Sequence, residues 1–165
     1  MKKYLLCFIT MLFVALLFLS GCANNKRLSQ EDAATLIQQE YETLIGYDAE
    51  KKTQPISTIH DYFAIDILSV RREKDKYIVQ CILSNQNVSK AFEILNSSTN
   101  EMTLNNYMQV LTEEITKQER IELETEMIVL VNEDGSYYVS FTDEQLDAAM
   151  GGLISYYMQI VEEVD

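Results

Sequence analysis

The apolar residues of this chain recur with two different periods, which divide it into predicted helices and predicted strands. A spacing of three to four positions is typical of a helix with one buried face. It occurs in four segments: Ser29 to Ile45, Asn85 to Asn96, Leu104 to Gln118 and Thr142 to the C-terminus. Ser29 can cap the first helix, and Thr142 with Gln145 has the capping-box pattern at the start of the last one.

Runs rich in β-forming residues and separated by turn residues predict two hairpins. The first joins Ala64 to Arg72 with Tyr77 to Ser84 through a charged turn. In the second, apolar residues alternate with acidic ones from Ile121 to Val131, and the chain returns through Tyr137 to Phe141. Gly135 lies in the turn of this second hairpin, where it can adopt a positive φ.

These elements predict an α+β fold. Strands joined as hairpins are antiparallel, so we expect a curved antiparallel sheet of about four strands with N-terminal, middle and C-terminal helices packed on one face. Gly151 and Gly152 interrupt the last helix, which predicts either a bend or the close approach of another backbone. The predicted buried stripes of the helices include Leu44, Leu104, Tyr157, Ile160 and Val161.

The first 21 residues have a different character. Two lysines are followed by an apolar run from Tyr4 to Leu19 and then by Ser20-Gly21-Cys22. A basic start, an apolar body and small residues before the end are typical of a secretory signal peptide. The stretch Leu-Ser-Gly-Cys resembles the lipobox of bacterial lipoproteins, which implies cleavage between Gly21 and Cys22 and a diacylglyceryl group on the Cys22 thiol. The alternative is an uncleaved membrane-spanning anchor, for which the apolar run is close to the minimum length.

The lipobox resemblance divides the chain into three parts. Residues 1–21 are the predicted signal peptide, 22–28 the acylated cysteine and a short tether, and 29–165 one α+β domain. Removing 21 of the 165 residues leaves 144, which suits a single domain. We therefore expect the protein at the cell membrane, anchored in the lipid bilayer through diacylglyceryl-Cys22 on the extracytoplasmic face.

Charge restricts the class of partner. The chain has 13 basic and 26 acidic residues, a formal net charge of −13; the signal contains two of the basic residues and none of the acidic ones, which leaves −15. This argues against nucleic acid as a partner, because nucleic-acid binding needs a basic surface. A basic envelope protein or a small ligand is compatible with it.

Cysteine usage excludes two other kinds of site. Cys7 lies in the signal and Cys22 is the predicted lipid attachment point, so Cys81 has no disulfide partner within one mature chain. The sequence has no His/Cys cluster for a structural zinc ion. We predict no metal and no cofactor.

Candidate catalytic residues are few. His60 is the one histidine and precedes Asp61, on a short helical turn that Pro55 can open. A lone histidine of this kind is more often structural than catalytic. The chain has no nucleophilic triad spacing, phosphate-binding glycine loop or zinc-protease motif, so the prediction is a binding protein rather than an enzyme. The alternative is a small hydrolase or isomerase that uses His60, Asp61 or tyrosines.

Two further sets are candidates for binding. Glu122, Glu124 and Glu126 form an acidic ladder on one face of a strand, interpreted either as a solvated face or as a docking surface for a basic partner. Among ten tyrosines, Tyr137 and Tyr157 belong to Tyr-Tyr pairs. Such residues either line a ligand pocket or fill the space between helix and sheet.

Several segments of the mature chain are similar to small lipoproteins, mostly from Gram-positive bacteria, that contain a domain of unknown function. The similarity rests on the helix after the lipobox, on strands carrying NQNVSKAF after the first hairpin, and on DGSYYV leading into LDAAMGGLISYY. It implies a cystatin-like or nuclear transport factor 2-like cone of helices and sheet. That resemblance supplies no catalytic residues. It implies a non-catalytic binding or accessory module of the cell envelope.

Overall fold

A computed structural model describes residues 27–50, 56–97 and 103–164 of the protein, and it is an α+β fold. The predicted signal peptide and the lipid attachment residue Cys22 lie outside the described residues. Within these ranges the chain forms six helices and four strands: α1 (Gln30–Leu44), α2 (Ile56–Tyr62), β1 (Ala64–Glu73), β2 (Lys76–Gln86), α3 (Val88–Ser97), α4 (Leu104–Ile115), β3 (Arg120–Val131), β4 (Tyr137–Val139), α5 (Asp143–Ala149) and α6 (Leu153–Val164).

The four strands form one antiparallel sheet in the order β1-β2-β3-β4, which confirms the predicted fold class. β2 and β3 pair over the whole length of β2, from Lys76 opposite Leu130 to Gln86 opposite Arg120. β1 pairs with β2 through a bulge near Leu68, where the register shifts between Ile67 and Ser69. β4 has only three residues and pairs with the end of β3.

The helix α1 lies along one face of the sheet and forms most of the main core with it. Ala33, Ile37 and Tyr41 of this helix are completely buried against sheet residues such as Leu83 and Met127. These side chains fill the space between α1 and the sheet, where burial of apolar area is the main stabilising term.

The direction of α1 determines at which end of the sheet the described chain begins. Its N-terminal end adjoins the start of β4 and the middle of β1: Leu28 lies beside Tyr137, and the Gln30 side chain donates to the Leu68 carbonyl at 3.3 Å. Its C-terminal end reaches the opposite end of the sheet, where the Tyr41 hydroxyl donates to the Ala149 carbonyl at 3.2 Å. Burial raises the pKa of that hydroxyl well above the usual tyrosine value.

A second cluster packs helices against helices. Its fully buried members, Val88 and Ala91 of α3 and Leu111 and Ile115 of α4, meet Leu153 at the start of α6. The helix predicted by spacing from Asn85 to Asn96 is confirmed from Val88 onward, whereas the strands that the resemblance implies for NQNVSKAF are wrong for most of that motif. Only its first two residues belong to β2, and the helix begins at Val88, because the Asn87 side chain accepts from the Lys90 N–H at 2.9 Å and ends the strand.

The last predicted helix is two helices, and both interpretations of its glycines are correct. α5 begins at the predicted capping box, where the Gln145 side chain accepts from the Thr142 N–H at 2.9 Å. Gly151 and Gly152 have φ of 67° and 78°, and they separate α5 from α6. Gly151 also packs against the backbone of Gln86.

Several residues predicted to be buried are exposed. Leu44 is 47% exposed, Leu104 74%, Tyr157 51%, Ile160 36% and Val161 58%. The periodic pattern correctly located the apolar stripe of each helix. In the part of the chain that the structure describes, however, no neighbouring element covers these ends of the stripes.

Candidate functional site

The candidate site is the face of the sheet that the described helices leave open, referred to below as the open face. Side chains of a strand alternate between the two faces of a sheet. The odd-numbered residues of β3, Met127 and Val129 among them, point toward α1. The even-numbered residues point the other way, and the predicted ladder of Glu122, Glu124 and Glu126 is exposed on this side.

The acidic half of the open face extends beyond β3. Register places Glu124 opposite Ile82 of β2, which is opposite Asp66 of β1, so Glu124 and Asp66 share the open face with Cα atoms about 10 Å apart. Within the described residues, Glu122 and Glu124 form no ion pair. Arg120, the nearest cation along the strand, donates instead to the Tyr62 carbonyl at 3.0 Å and to the Ser84 hydroxyl at 2.7 Å.

The other half of the open face is apolar. Ile128, Leu130 and Tyr138 are 44–49% exposed and lie beside one another on β3 and β4. Ile78 pairs with Ile128 from β2 and is only 7% exposed, so it forms the floor of the patch. A contiguous apolar surface with a charged border is typical of an interaction site.

This apolar half is not among the residues predicted from the sequence, although the pattern that indicates it is present. After Glu126, the even-numbered positions of β3 change from acidic to apolar, to Ile128 and Leu130, while the odd-numbered positions stay apolar. A strand that is apolar on both faces at one end predicts a second contact surface there.

The candidate catalytic residues form a separate cluster. The His60 ring stacks on Tyr47, with centroids 3.6 Å apart and planes at 4°, and only 17% of its side chain is exposed. Its Nε2 lies 3.0 Å from Glu42 Oε1 and 3.3 Å from the Gln38 amide nitrogen, and its Nδ1 lies 3.4 Å from Asp61 Oδ1. The cluster therefore holds the loop after α1 against α2.

Hydrogen bonds in this cluster change the pKa of the Glu42 carboxyl. The hydrogen bond with His60, followed by the one from Gln38, holds the pKa of the Glu42 carboxyl below its usual value. The surface depression next to the cluster is lined by Gln38 and Glu42 and by residues of β1, and His60 is not among its lining residues.

The two tyrosine candidates lie on different elements. Tyr137 is half-buried at the start of β4, with its ring edge-on to Tyr77 at 6.0 Å, and burial raises the pKa of its hydroxyl. Tyr157 lies on α6 beside Phe92 and Tyr156, at centroid distances of 6.1 and 5.9 Å. The structure therefore brings the three ladder glutamates together, whereas it separates the His60 cluster, Tyr137 and Tyr157 from them and from one another.

In residues 27–50, 56–97 and 103–164, no group of three or more His, Cys, Asp and Glu side chains is arranged to hold a metal ion. None of the helices in these ranges is long and apolar enough to cross a bilayer.

Models of protein families, curated proteins and solved structures were all compared with the chain, and none of them matches it.

Proposed function

We propose that this protein is a lipid-anchored module on the extracytoplasmic face of the cell membrane, and that its open face binds a positively charged protein of the cell envelope. The anchor rests on the lipobox pattern that ends at Gly21 and Cys22. The function is binding rather than catalysis, in line with the resemblance to small envelope lipoproteins.

The observation that carries the proposal is the composition of the open face. It combines three aligned carboxylates, of Glu122, Glu124 and Glu126, with an adjoining apolar patch around Ile128 and Tyr138. A patch of this kind contributes affinity through apolar burial, and its charged border selects partners of opposite charge and speeds their association. The net charge of −13 acts in the same direction at longer range.

Photo-crosslinking in intact cells tests the proposal with a matched pair of tyrosines. Tyr138 on the open face and Tyr157 on α6 are 49% and 51% exposed. Each is replaced in turn by p-benzoylphenylalanine in the full chain. We expect a defined protein adduct from position 138, which is lost when Glu122, Glu124 and Glu126 are all changed to Gln. Absence of an adduct from position 138, or equal adducts from both positions, would contradict the proposal.

The alternative function, a small hydrolase or isomerase, requires His60 to face a cavity between helices and sheet. His60 instead packs between Tyr47 and the Glu42 carboxylate, and the covered face of the sheet is filled by buried side chains. No specific observation favours this alternative over binding.

A further inference from the structure

A free strand edge borders the open face. β3 pairs with β2 from Arg120 to Leu130, whereas β4 pairs only with residues 129–131. The segment from Arg120 to Thr125, referred to below as the free segment of β3, therefore forms an edge of the sheet about 20 Å long. A strand edge presents backbone donors and acceptors that another extended chain can use.

The backbone groups on this edge belong to the same residues that carry the acidic side chains. The Val131 N–H donates to the Asp75 carbonyl in the turn between β1 and β2. The backbone N–H and C=O groups of odd-numbered β3 residues therefore point toward β2. The Glu126 carbonyl faces the other way and accepts from the Gln145 side-chain amide at 3.1 Å. By the same alternation, the N–H and C=O groups of Glu122 and Glu124 face the free side, where no described residue pairs with them.

The opposite edge of the sheet differs from this one. The bulge near Leu68 interrupts β1, and its carbonyl accepts from the Gln30 side chain. Bulges of this kind disfavour the addition of a further strand. The β1 edge also carries Arg71 and Arg72, so it does not suit a basic segment.

Charge decides what can occupy the free segment of β3. In a symmetric antiparallel pair of two copies centred on Glu124, each Glu122 would lie opposite Glu126 and the two Glu124 residues would face each other. Like charges directly opposite in a sheet are destabilising, whereas opposite charges are favourable. The same ladder therefore disfavours a second copy of this chain and favours a strand with basic residues at every second position.

We infer that the basic partner binds as an added β-strand on the free segment of β3. Its backbone bonds to Glu122 and Glu124, and its alternating Lys or Arg side chains lie beside the three carboxylates on the open face. This inference rests on the proposed function and adds the binding mode, which is strand addition to a sheet edge. It also specifies the sequence pattern of the partner segment.

Synthetic heptapeptides test this mode on the full chain, purified in detergent from membranes. The probe is TKVKVKT, blocked at both ends, and two variants carry N-methyl groups either on the three lysines or on the two valines. In an added strand, the backbone N–H groups of only one of these alternating sets point toward β3. We therefore expect methylation of that set to weaken binding about tenfold or more, and methylation of the other set to have little effect. Equal affinity of the two methylated peptides would overturn strand addition.

Hydrogen exchange provides a second readout. The amides of Glu122 and Glu124 should exchange at least about tenfold more slowly when the probe is bound, because they become hydrogen-bonded donors. Unchanged exchange at saturating peptide would also overturn strand addition.

Two glutamine variants separate this inference from the proposed function. The ladder variant changes Glu122, Glu124 and Glu126 to Gln, and the control variant changes the exposed residues Glu113, Glu133 and Glu162 to Gln, so both remove three charges. If the ladder variant alone loses binding but methylation has no effect, the open face binds basic chains without strand addition. If wild type and ladder variant bind the probe equally, both the inference and the proposed function fail.

Discussion

Gly151 lies against the backbone carbonyl of Gln86, and this contact joins the break between α5 and α6 to the end of β2. A Cβ at position 151 would overlap that carbonyl oxygen and press on Val88. The Gly151 carbonyl in turn accepts from the Ser89 N–H at 3.1 Å. Backbone contacts therefore join the break between α5 and α6 to the junction of β2 and α3, at a position that tolerates no side chain.

The Gly151 contact predicts an unequal effect of two alanine substitutions. Gly46 and Gly151 have φ of 64° and 67°, but a Cβ at Gly46 would meet only open space. Gly46→Ala should therefore cost only the backbone strain, about 1 kcal/mol of unfolding free energy. Gly151→Ala adds a steric overlap and should cost about 2–4 kcal/mol in all. Urea unfolding of both variants measures the difference, and equal losses would show that the Gln86 contact is unimportant.

Asn85 is predicted to be the most sensitive polar residue of the core. Its side-chain amide is completely buried and donates to the carbonyls of Ile59 at 2.9 Å and Ala149 at 2.6 Å. Asn85→Ala leaves both carbonyls without this donor and should lower the unfolding free energy by about 2–4 kcal/mol. Asn105→Ala, on an exposed position of α4, should change it by less than about 0.5 kcal/mol. Similar values for the two variants would contradict this assignment.

The Glu42 carboxylate should make stability depend on pH. Its pKa is lower in the folded than in the unfolded protein, so its contribution is complete above the usual Glu pKa and is lost as the pH falls through the lowered value. Glu42→Gln should therefore destabilise the protein at about pH 6 and have a progressively smaller effect from about pH 5 to pH 3. Because the Glu42 side chain is 36% exposed, the difference should not exceed about 1 kcal/mol.

Urea unfolding across this pH range measures the Glu42 effect. The same substitution made together with His60→Gln provides the control, since the hydrogen bond from His60 is the largest cause of the lowered pKa. A pH dependence that is unchanged in the His60→Gln background would contradict this origin.

The proposed lipid anchor predicts where two cysteine variants are found after cell fractionation. Cys22→Ala should move the protein almost completely out of the membrane fraction, because a covalent lipid on Cys22 would supply the affinity for the bilayer. Cys7→Ala lies in the same predicted signal and should leave the protein membrane-bound. Retention of Cys22→Ala in the membrane fraction would favour the uncleaved anchor instead.

Local rules were sufficient for most of the fold. The cap at Ser29, the capping box of Thr142 and Gln145, and the alternation along β3 depend on neighbours in sequence, and all three are present in the structure. The extent of burial was not predictable in this way. Tyr157 belongs to a regular apolar stripe of α6. Whether a neighbouring element of the fold covers this side chain depends on where α3 ends and on the direction in which α6 extends from the core.

The candidate site was predictable only in part. The acidic ladder was identified from its spacing, because alternate residues of a strand share a face. The free edge was not predictable from the sequence. It exists because β4 has only three residues, whereas a hairpin pattern predicts a longer partner strand. The bonds of Asn85 join residues 26 and 64 positions apart and leave no local signal in the sequence.

The direction of α1 determines how the molecule would stand on its anchor. Arg27 follows Cys22 by five residues, which span at most about 17 Å, and the described chain begins beside Tyr137, next to the turn between β3 and β4. On the proposed anchor, that turn would therefore lie next to the phospholipid headgroups. Glu124 lies seven residues along β3 from Val131, so its carboxylate would project about 20 Å farther outward. At that height the ladder would lie beyond the Debye length of an anionic membrane surface, and on the proposed anchor it would be accessible to proteins that approach from outside the cell.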